Sequence, residues 1–289
     1  MCGDGPARSV EGRGVDLMIR LRADSDRLRR TLRRREIEAV FRNVPDDTFE
    51  DALELGAGDG AQSQYIARCA RKVLCTDLNA DRLERASHPR LTYDICDAED
   101  LPYDTGRFDL VYSSNLLEHL PDPQKALSEM RRVLRDDGVM VHVVPNRFWK
   151  LLHLGLFYPR QAIFVLETAL SGGRVRTDGE EPVRGNNLKS ERPSFLRRNL
   201  LPAVHGEYSG HVQEFVRMGA PHWTRSFGEA GFEPVGKVGG LPAHSPYRFG
   251  LEIPRKVCEG VGLSSCNGYI LAKTGQASSA LPTLMGSAG

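Results

Sequence analysis

Short apolar segments alternate with amphipathic segments along the first half of the chain, a pattern typical of a parallel α/β sheet. Strands are predicted at residues 52–55, 72–76, 91–95, 108–112 and 139–144, with helices at 62–70, 79–86 and 123–134. Later in the chain, residues 233–238 and 268–273 predict an antiparallel hairpin that closes the sheet. We therefore expect an α/β fold with a doubly wound, mostly parallel sheet.

The rest of the chain divides by composition. Residues 1–14 and the tail 274–289 are expected to be disordered, 15–45 to form a basic helix, 46–146 and 221–273 to form the core, and 147–220 to form a helical insertion or substrate lid. Within the insertion, the apolar residues 148–170 predict two helices interrupted by Pro159. The polar residues 171–200 and the Gly/Pro-rich residues 239–267 predict long loops, the second at the substrate face.

Charge and cysteine content exclude several classes of protein. The formal charge of +1 gives no overall attraction to nucleic acid or anionic membranes. The six cysteines include no C-x-x-C pair and no spacing suited to zinc, which favours a reduced, cytoplasmic setting. No apolar signal segment and no run of eighteen apolar residues occurs, so we expect neither secretion by that route nor a membrane span.

A glycine-rich turn follows the first predicted strand. Gly56, Gly58 and Gly60 permit positive φ angles and a close approach of the backbone to a ligand. A dinucleotide-binding turn has its third glycine three residues after the second, whereas the spacing here is two. Glu54, just before the turn, would repel a pyrophosphate. Both features favour a cationic ligand with an amino-acid end.

Residues 54–60, Glu-Leu-Gly-Ala-Gly-Asp-Gly, resemble the first motif of the class I S-adenosylmethionine-dependent methyltransferases, in particular their small-molecule group. The resemblance extends from about residue 48 to 146. It implies a Rossmann-like methyltransferase fold with seven strands in the order 3-2-1-4-5-7-6, a helical insertion after strand 5, and S-adenosyl-L-methionine as cofactor. An ordinary βα turn, with glycines for geometry alone, is the alternative.

Further polar residues follow the next strands. Asp77 lies about twenty residues past the glycines, where an acid can accept both hydroxyls of a ribose. The resemblance implies that Asp97, with Ala98 beside it, holds the adenine, and that Asn115 and Leu116 line the methionine end. The full expected set is Glu54, Gly56, Ala57, Gly58, Gly60, Asp77, Leu78, Asp97, Ala98, Asn115 and Leu116.

Three histidines are candidates for catalysis. His205 and His211 lie in one short loop with Glu207 as an orienting partner, and imidazole is the side chain that most often acts as a base. His119 is also a candidate, although Glu-His-Leu segments occur in family members with different acceptors, which favours a structural or cofactor-side role. Nothing in the sequence fixes a third metal ligand beside His205 and His211, so no metal is expected.

The leading hypothesis is a methyltransferase that acts on a small molecule or a glycoconjugate, at oxygen. The apolar insertion suggests an amphiphilic, lipid-linked acceptor, or a peripheral contact of 148–170 with a membrane. An RNA methyltransferase that uses the arginines of residues 29–35 is an alternative, with those arginines as a solvated helix face the simpler interpretation. A non-catalytic cofactor-binding partner protein is a third possibility. The sequence does not indicate an oligomeric state.

Overall fold

A seven-stranded sheet forms the centre of the computed structural model, which describes residues 27–83, 87–170, 202–244, 252–278 and 280–285. The strands are β1 Phe49–Leu55, β2 Ala70–Asp77, β3 Leu91–Ile95, β4 Phe108–Ser114, β5 Leu134–Pro145, β6 Phe232–Val238 and β7 Cys266–Lys273. Their spatial order is β3-β2-β1-β4-β5-β7-β6. The first five pair in parallel, and β7 is antiparallel to both β5 and β6. The expected fold class and strand order are confirmed.

Helices cover both faces of this sheet. They are α1 at residues 27–40, α2 Ser63–Cys69, α3 Pro123–Val133, α4 Arg147–Leu170, α5 His211–Arg217, α6 Ala220–Glu229, α7 Glu252–Gly260 and α8 Leu281–Met285. The side chain of Asp122 caps α3 by accepting from the backbone N–H groups of Gln124 and Lys125. Pro123, at the next position, has no backbone N–H to donate. No helical hydrogen bond is lost, because the first N–H groups of a helix have no partner within it.

Alternate residues of β4 enter opposite halves of the hydrophobic core, as the two-residue period of a strand requires. Leu110 and Tyr112 are buried with Phe41, directly after α1, and with Ile66 of α2. Val111 is buried in the second cluster, which also contains Leu127 and Met130 of α3 and Trp223 and Phe227 of α6. Because both faces are covered, the ligand crevice lies at the carboxyl ends of the parallel strands.

The apolar segment after β5 is one helix rather than the predicted two. Pro159 lies inside α4, which continues from Arg147 to Leu170. A proline removes a single backbone hydrogen bond and crowds the carbonyl four residues earlier, so it can bend a helix without ending it. None of the described helices combines the length and the apolar character needed to cross a membrane.

Other predictions differ at the periphery. Residues 79–86 were expected to form a helix, but the described part is a single 3₁₀ turn, Ala80–Arg82, capped by the side chain of Asn79. The predicted loop 239–267 contains α7, and the tail expected to be disordered contains α8, whose Leu284 is buried in the core. Burial of one leucine stabilises a tail that composition alone does not order. Residues 1–26, 84–86 and 171–201 lie outside the described residues, with the predictions made for them.

Candidate active site

The glycine turn is fixed to the ends of two neighbouring strands. Gly56, Gly58 and Gly60 have φ angles of 71°, 55° and 68°, the left-handed region that disfavours other residues. The backbone N–H of Gly58 donates to Oδ2 of Asp77 over 3.2 Å. Oδ1 of Asp77 accepts from the N–H of Asn79 at 3.0 Å. These two bonds hold the Asp77 carboxylate beside the turn, where the sequence places a ribose-binding acid.

Glu54 is the penultimate residue of β1, two residues before Gly56, and its side chain is buried. Burial raises the pKa of its carboxyl group to about 7, although a hydrogen bond from Ser63 Oγ opposes the shift. An acid with a pKa near neutrality is partly protonated in the absence of a cation. A cationic ligand in the crevice would favour its ionised form.

The loop after β4 packs directly against the glycine turn. Asn115 adopts a positive φ of 51°, and its backbone N–H donates to the carbonyl of Val143 at 2.8 Å. The next residue, Leu116, lies so close to Gly56 that a Cβ added at Gly56 would be 3.1 Å from Leu116 Cδ1. Asn115 and Leu116 therefore lie beside the glycine turn, and their role at the methionine end of the cofactor stays a prediction.

The adenine-side residues occupy the loop after β3. The N–H of Cys96 donates to the carbonyl of Asp77 at 3.3 Å, which joins the ends of β2 and β3. Asp97 accepts from the N–H of Glu99 at 2.9 Å, and Ala98 is largely buried. Leu78 is half exposed at the end of β2. These positions are compatible with the assigned roles, which stay predictions.

Helix α1 contributes two polar residues that the sequence analysis did not select. Arg33 Nη1 donates to Ser114 Oγ at 2.8 Å, and Ser114 Oγ donates to Glu36 Oε1 at 2.5 Å. Burial alone would raise the pKa of Glu36, but Arg33 and the hydrogen bond from Ser114 hold it below its ordinary value. The signal available in the sequence was the Arg-x-x-Glu pair on one helix face, and nothing local showed that it reaches β4.

A second polar cluster lies just beyond Leu116 and contains Glu118, His119 and His205. The ring centroids of the two histidines are 4.5 Å apart, and His119 Nε2 is 3.8 Å from Glu118 Oε1. Glu118 is 2% exposed, and among the described residues neither of its carboxylate oxygens has a hydrogen-bond partner. Burial raises the pKa of Glu118 to about 8 and lowers the pKa of His205 to about 3. Sequence reasoning selected the two histidines and missed Glu118.

The segment that carries His205 is anchored to the loop after β4. The N–H of Glu207 donates to the carbonyl of Glu118 at 3.1 Å. Gly206 has a φ of 77°, and a Cβ added there would come within 2.3 Å of the same carbonyl oxygen. The ring of His205 also lies 4.6 Å from that of Trp149 on α4. This close approach positions His205 over His119.

His211 belongs to a different group of contacts. The Nδ1 atom of His211 lies 2.9 Å from Nζ of Lys150. The same Nζ atom lies 3.5 Å from Nδ1 of His153. Lys150 in turn pairs with Glu214 of α5. The structure therefore brings His119 and His205 together and places His211 with the charged residues that join α4 to α5. The catalytic roles of all three histidines stay predictions.

Known proteins resemble this chain over different lengths. The family described as "Methyltransferase domain" matches residues 53–142. Sarcosine/dimethylglycine N-methyltransferase of Halorhodospira halochloris is 29% identical over 235 residues, which cover 73% of this chain and 82% of that protein. Malonyl-(acyl-carrier protein) O-methyltransferase of Enterobacter lignolyticus is 30% identical over 157 residues, 50% of this chain and 61% of that protein. This chain therefore spans less than two thirds of the length of the second relative.

A solved structure resembles the chain over most of its length. It comes from the complex between the Haloferax volcanii Trm112 methyltransferase activator and a methyltransferase, with a TM-score of 0.54 and 13% identity. The match covers 93% of this chain and 99% of that one. At this level of identity the likeness concerns the fold alone.

Proposed function

Because this chain belongs to the class I S-adenosylmethionine-dependent methyltransferases, we propose that it methylates a hydroxyl group of a small-molecule or amphiphilic glycoconjugate acceptor. The sulfonium donor carries its own activation, so the enzyme chiefly aligns the acceptor with the methyl carbon and excludes water. As the new C–O bond forms, the C–S bond breaks and S-adenosylhomocysteine leaves. The hydroxyl proton then has to pass to a neighbouring base.

The observation that carries the choice of a hydroxyl is the position of His119 and His205. Their rings are 4.5 Å apart, and His119 lies four residues past Asn115, in the loop that packs against the glycine turn. Methyl transfer to oxygen needs a proton acceptor next to the donor, and imidazole is the side chain most often used. His205 is our first choice for that role, because burial lowers its pKa to about 3 and so keeps the imidazole in the neutral form that can accept a proton.

An amphiphilic acceptor is supported by the surface of α4. Trp149 and Phe157 are buried on one side of the helix, while Leu151 and Tyr158 are 54% and 58% exposed. The buried side of the same helix reaches the polar cluster, since the ring of Trp149 contacts that of His205. A sugar or small polar head over the histidines, with an apolar chain along α4, fits this distribution. Contact of α4 with a membrane surface is part of the same proposal.

An amine acceptor is the second candidate, because a relative that matches 73% of this chain is a sarcosine/dimethylglycine N-methyltransferase. An RNA acceptor has weaker support. Arginines of α1 are engaged with carboxylates: Arg33 with Glu36, Arg34 with Glu38 and Arg35 with Glu259. These pairs reduce the positive surface that phosphates would contact.

The test is transfer of a labelled methyl group to matched panels of hydroxyl and amine acceptors, including lipid-linked sugars. We expect transfer to hydroxyl acceptors. His205→Gln should lower kcat by about 10²–10⁴, the usual contribution of a general base, with an unchanged Kd for S-adenosylmethionine.

His222→Gln is the matched control, since His222 packs beside Trp223 on α6 and should leave kcat unchanged. Exclusive transfer to amines would overturn the assignment of a hydroxyl. Equal activity of His205→Gln and the parent enzyme would overturn the role of His205.

A further inference from the structure

The second polar cluster holds a buried carboxylate, that of Glu118. It is 2% exposed, and no hydrogen bond to its oxygens occurs among the described residues. Removing a carboxylate from water without a partner is unfavourable, and proteins respond by adding a proton or a cation. His119 and His205 each have a ring nitrogen within 4.8 Å of a carboxylate oxygen of Glu118.

We propose that Glu118, His119 and His205 bind one divalent transition-metal ion of the zinc type. Imidazole nitrogen and carboxylate oxygen are the usual protein ligands of zinc, and three of them leave a fourth position open. One ligand atom from each of the three residues already lies within 4.8 Å of the others. Ligands at about 2.1 Å from a tetrahedral ion are about 3.4 Å apart, so the ligand atoms must approach one another by up to about 1.4 Å.

The geometry of the backbone supports a site rather than a chance cluster. Glu118 and His119 are adjacent in the loop after β4, whereas His205 comes from the segment beyond α4. The bond from the N–H of Glu207 to the carbonyl of Glu118, 3.1 Å long, already joins the two segments next to the ligands. The pair of nitrogen ligands favours zinc, cobalt or nickel over magnesium, which prefers oxygen.

An ion at this position would have three effects. It would neutralise the negative charge of the Glu118 carboxylate. It would also hold the segment that carries His205 against the loop after β4. Its open position would bind the acceptor hydroxyl and lower the pKa of that group, as metal ions do for water. The ring of His205 would then serve as a ligand rather than as the base, and the hydroxyl proton would leave to solvent. The effect at the open position rests on the proposed function, whereas binding of the ion does not.

The test begins with the full-length protein freed of metals by a chelator and then dialysed. Titration with Zn²⁺ by calorimetry should give one equivalent of bound ion, and Co²⁺ should give the visible absorption of a tetrahedral complex. Glu118→Gln and His205→Gln should each weaken Zn²⁺ binding by more than the roughly 10–100-fold that loss of an outer-sphere partner causes. His222→Gln should bind Zn²⁺ as the parent does.

Binding of S-adenosylmethionine, measured on every variant, shows that the crevice is intact. No stoichiometric binding of Zn²⁺ or Co²⁺, or binding that both site variants retain, would overturn the metal site. Turnover that is unaffected by the chelator would overturn the role of the open position. If Zn²⁺ binds as expected but only amines are methylated, the metal site stands and the proposed hydroxyl acceptor fails.

Discussion

Lys150 Nζ lies 2.5 Å from Oε2 of Glu214, and both side chains are fully buried where α4 meets α5. Burial lowers the pKa of the Lys150 ammonium group, and Glu214 partly offsets this effect. The second oxygen of Glu214 is buried without a hydrogen-bond partner among the described residues. Each charge of the pair is therefore tolerated in the interior chiefly because the other is present.

Removing one member of this pair should be more harmful than removing both. Lys150→Met leaves a buried, unpaired carboxylate, and we expect a loss of about 3–5 kcal/mol in the free energy of unfolding. The double variant Lys150→Met, Glu214→Leu should recover most of that loss. Urea unfolding of the two single variants and the double variant measures this coupling. Losses that simply add would show that the two charges do not depend on each other.

The affinity for S-adenosylmethionine should fall at acidic pH because of Glu54. Its pKa is raised to about 7 by burial, so at pH 6 only about a tenth of the apoprotein has the ionised form that a cationic cofactor favours. We expect Kd to rise about tenfold between pH 8 and pH 6. Glu54→Gln should bind weakly at both pH values, while Glu50→Gln, exposed on the same strand, should behave like the parent.

The same group affects stability with the opposite pH dependence. Between the ordinary glutamate pKa of 4.5 and the raised value of about 7, the folded apoprotein holds a proton on Glu54 that the unfolded chain has released. The free energy of unfolding therefore decreases as pH rises through this window. The decrease should disappear in Glu54→Gln. If the Kd of Glu54→Gln for S-adenosylmethionine still depends on pH, another group causes the pH dependence of cofactor binding.

Asp77 should be needed for cofactor binding rather than for folding. Asp77→Asn keeps one oxygen for the backbone bond from Gly58 but removes the charge that we expect to accept two ribose hydroxyls. Hydrogen bonds to a charged group contribute about 1.5–3 kcal/mol, so Kd should rise by about 10–150-fold. Calorimetric titration measures this, with Asp81→Asn in the following turn as control. Unchanged binding would remove Asp77 from the cofactor site.

Gly206→Ala should impair turnover more than cofactor binding. The new Cβ would lie 2.3 Å from the carbonyl oxygen of Glu118, at a φ of 77° that costs an alanine about 1–3 kcal/mol. We expect a lower kcat with unchanged Kd for S-adenosylmethionine, because His205 is displaced while the glycine turn is not. Gly210→Ala, with no atom within 4 Å of the added Cβ, is the control. Equal kinetics of the two variants would contradict this account.

The positions of the residues expected on the cofactor side could be predicted from sequence because they lie at or just past the carboxyl ends of their strands. The positions of Glu54, Asp77 and Asn115 depend on strand periodicity and on parallel pairing, which local patterns encode. Parallel strands then bring these ends to one edge of the sheet. The order of the strands came from the family resemblance rather than from the pattern.

The acceptor side could not be predicted in the same way. Glu118 meets His205 only through the path of the intervening chain, and no local period specifies that contact. Arg33 and Glu36 were hidden for the same reason, since their contact with Ser114 joins α1 to β4. The continuity of α4 through Pro159 depends on its surroundings, which override the local preference of proline.

The backbone contact at the carbonyl of Glu118 also limits which segments can be exchanged between enzymes of this family to make chimeric proteins. The family match ends at residue 142, yet the segment at 205–207 returns to contact residue 118 inside it. A chimera that takes its acceptor region from a relative therefore needs two features at the crossing. The first is a glycine at the position of Gly206, because a Cβ there would meet the carbonyl oxygen of residue 118. The second is a residue with a backbone N–H at position 207, which donates to that oxygen. With both present, the exchanged segment can make the same backbone contact with residue 118 as the native one.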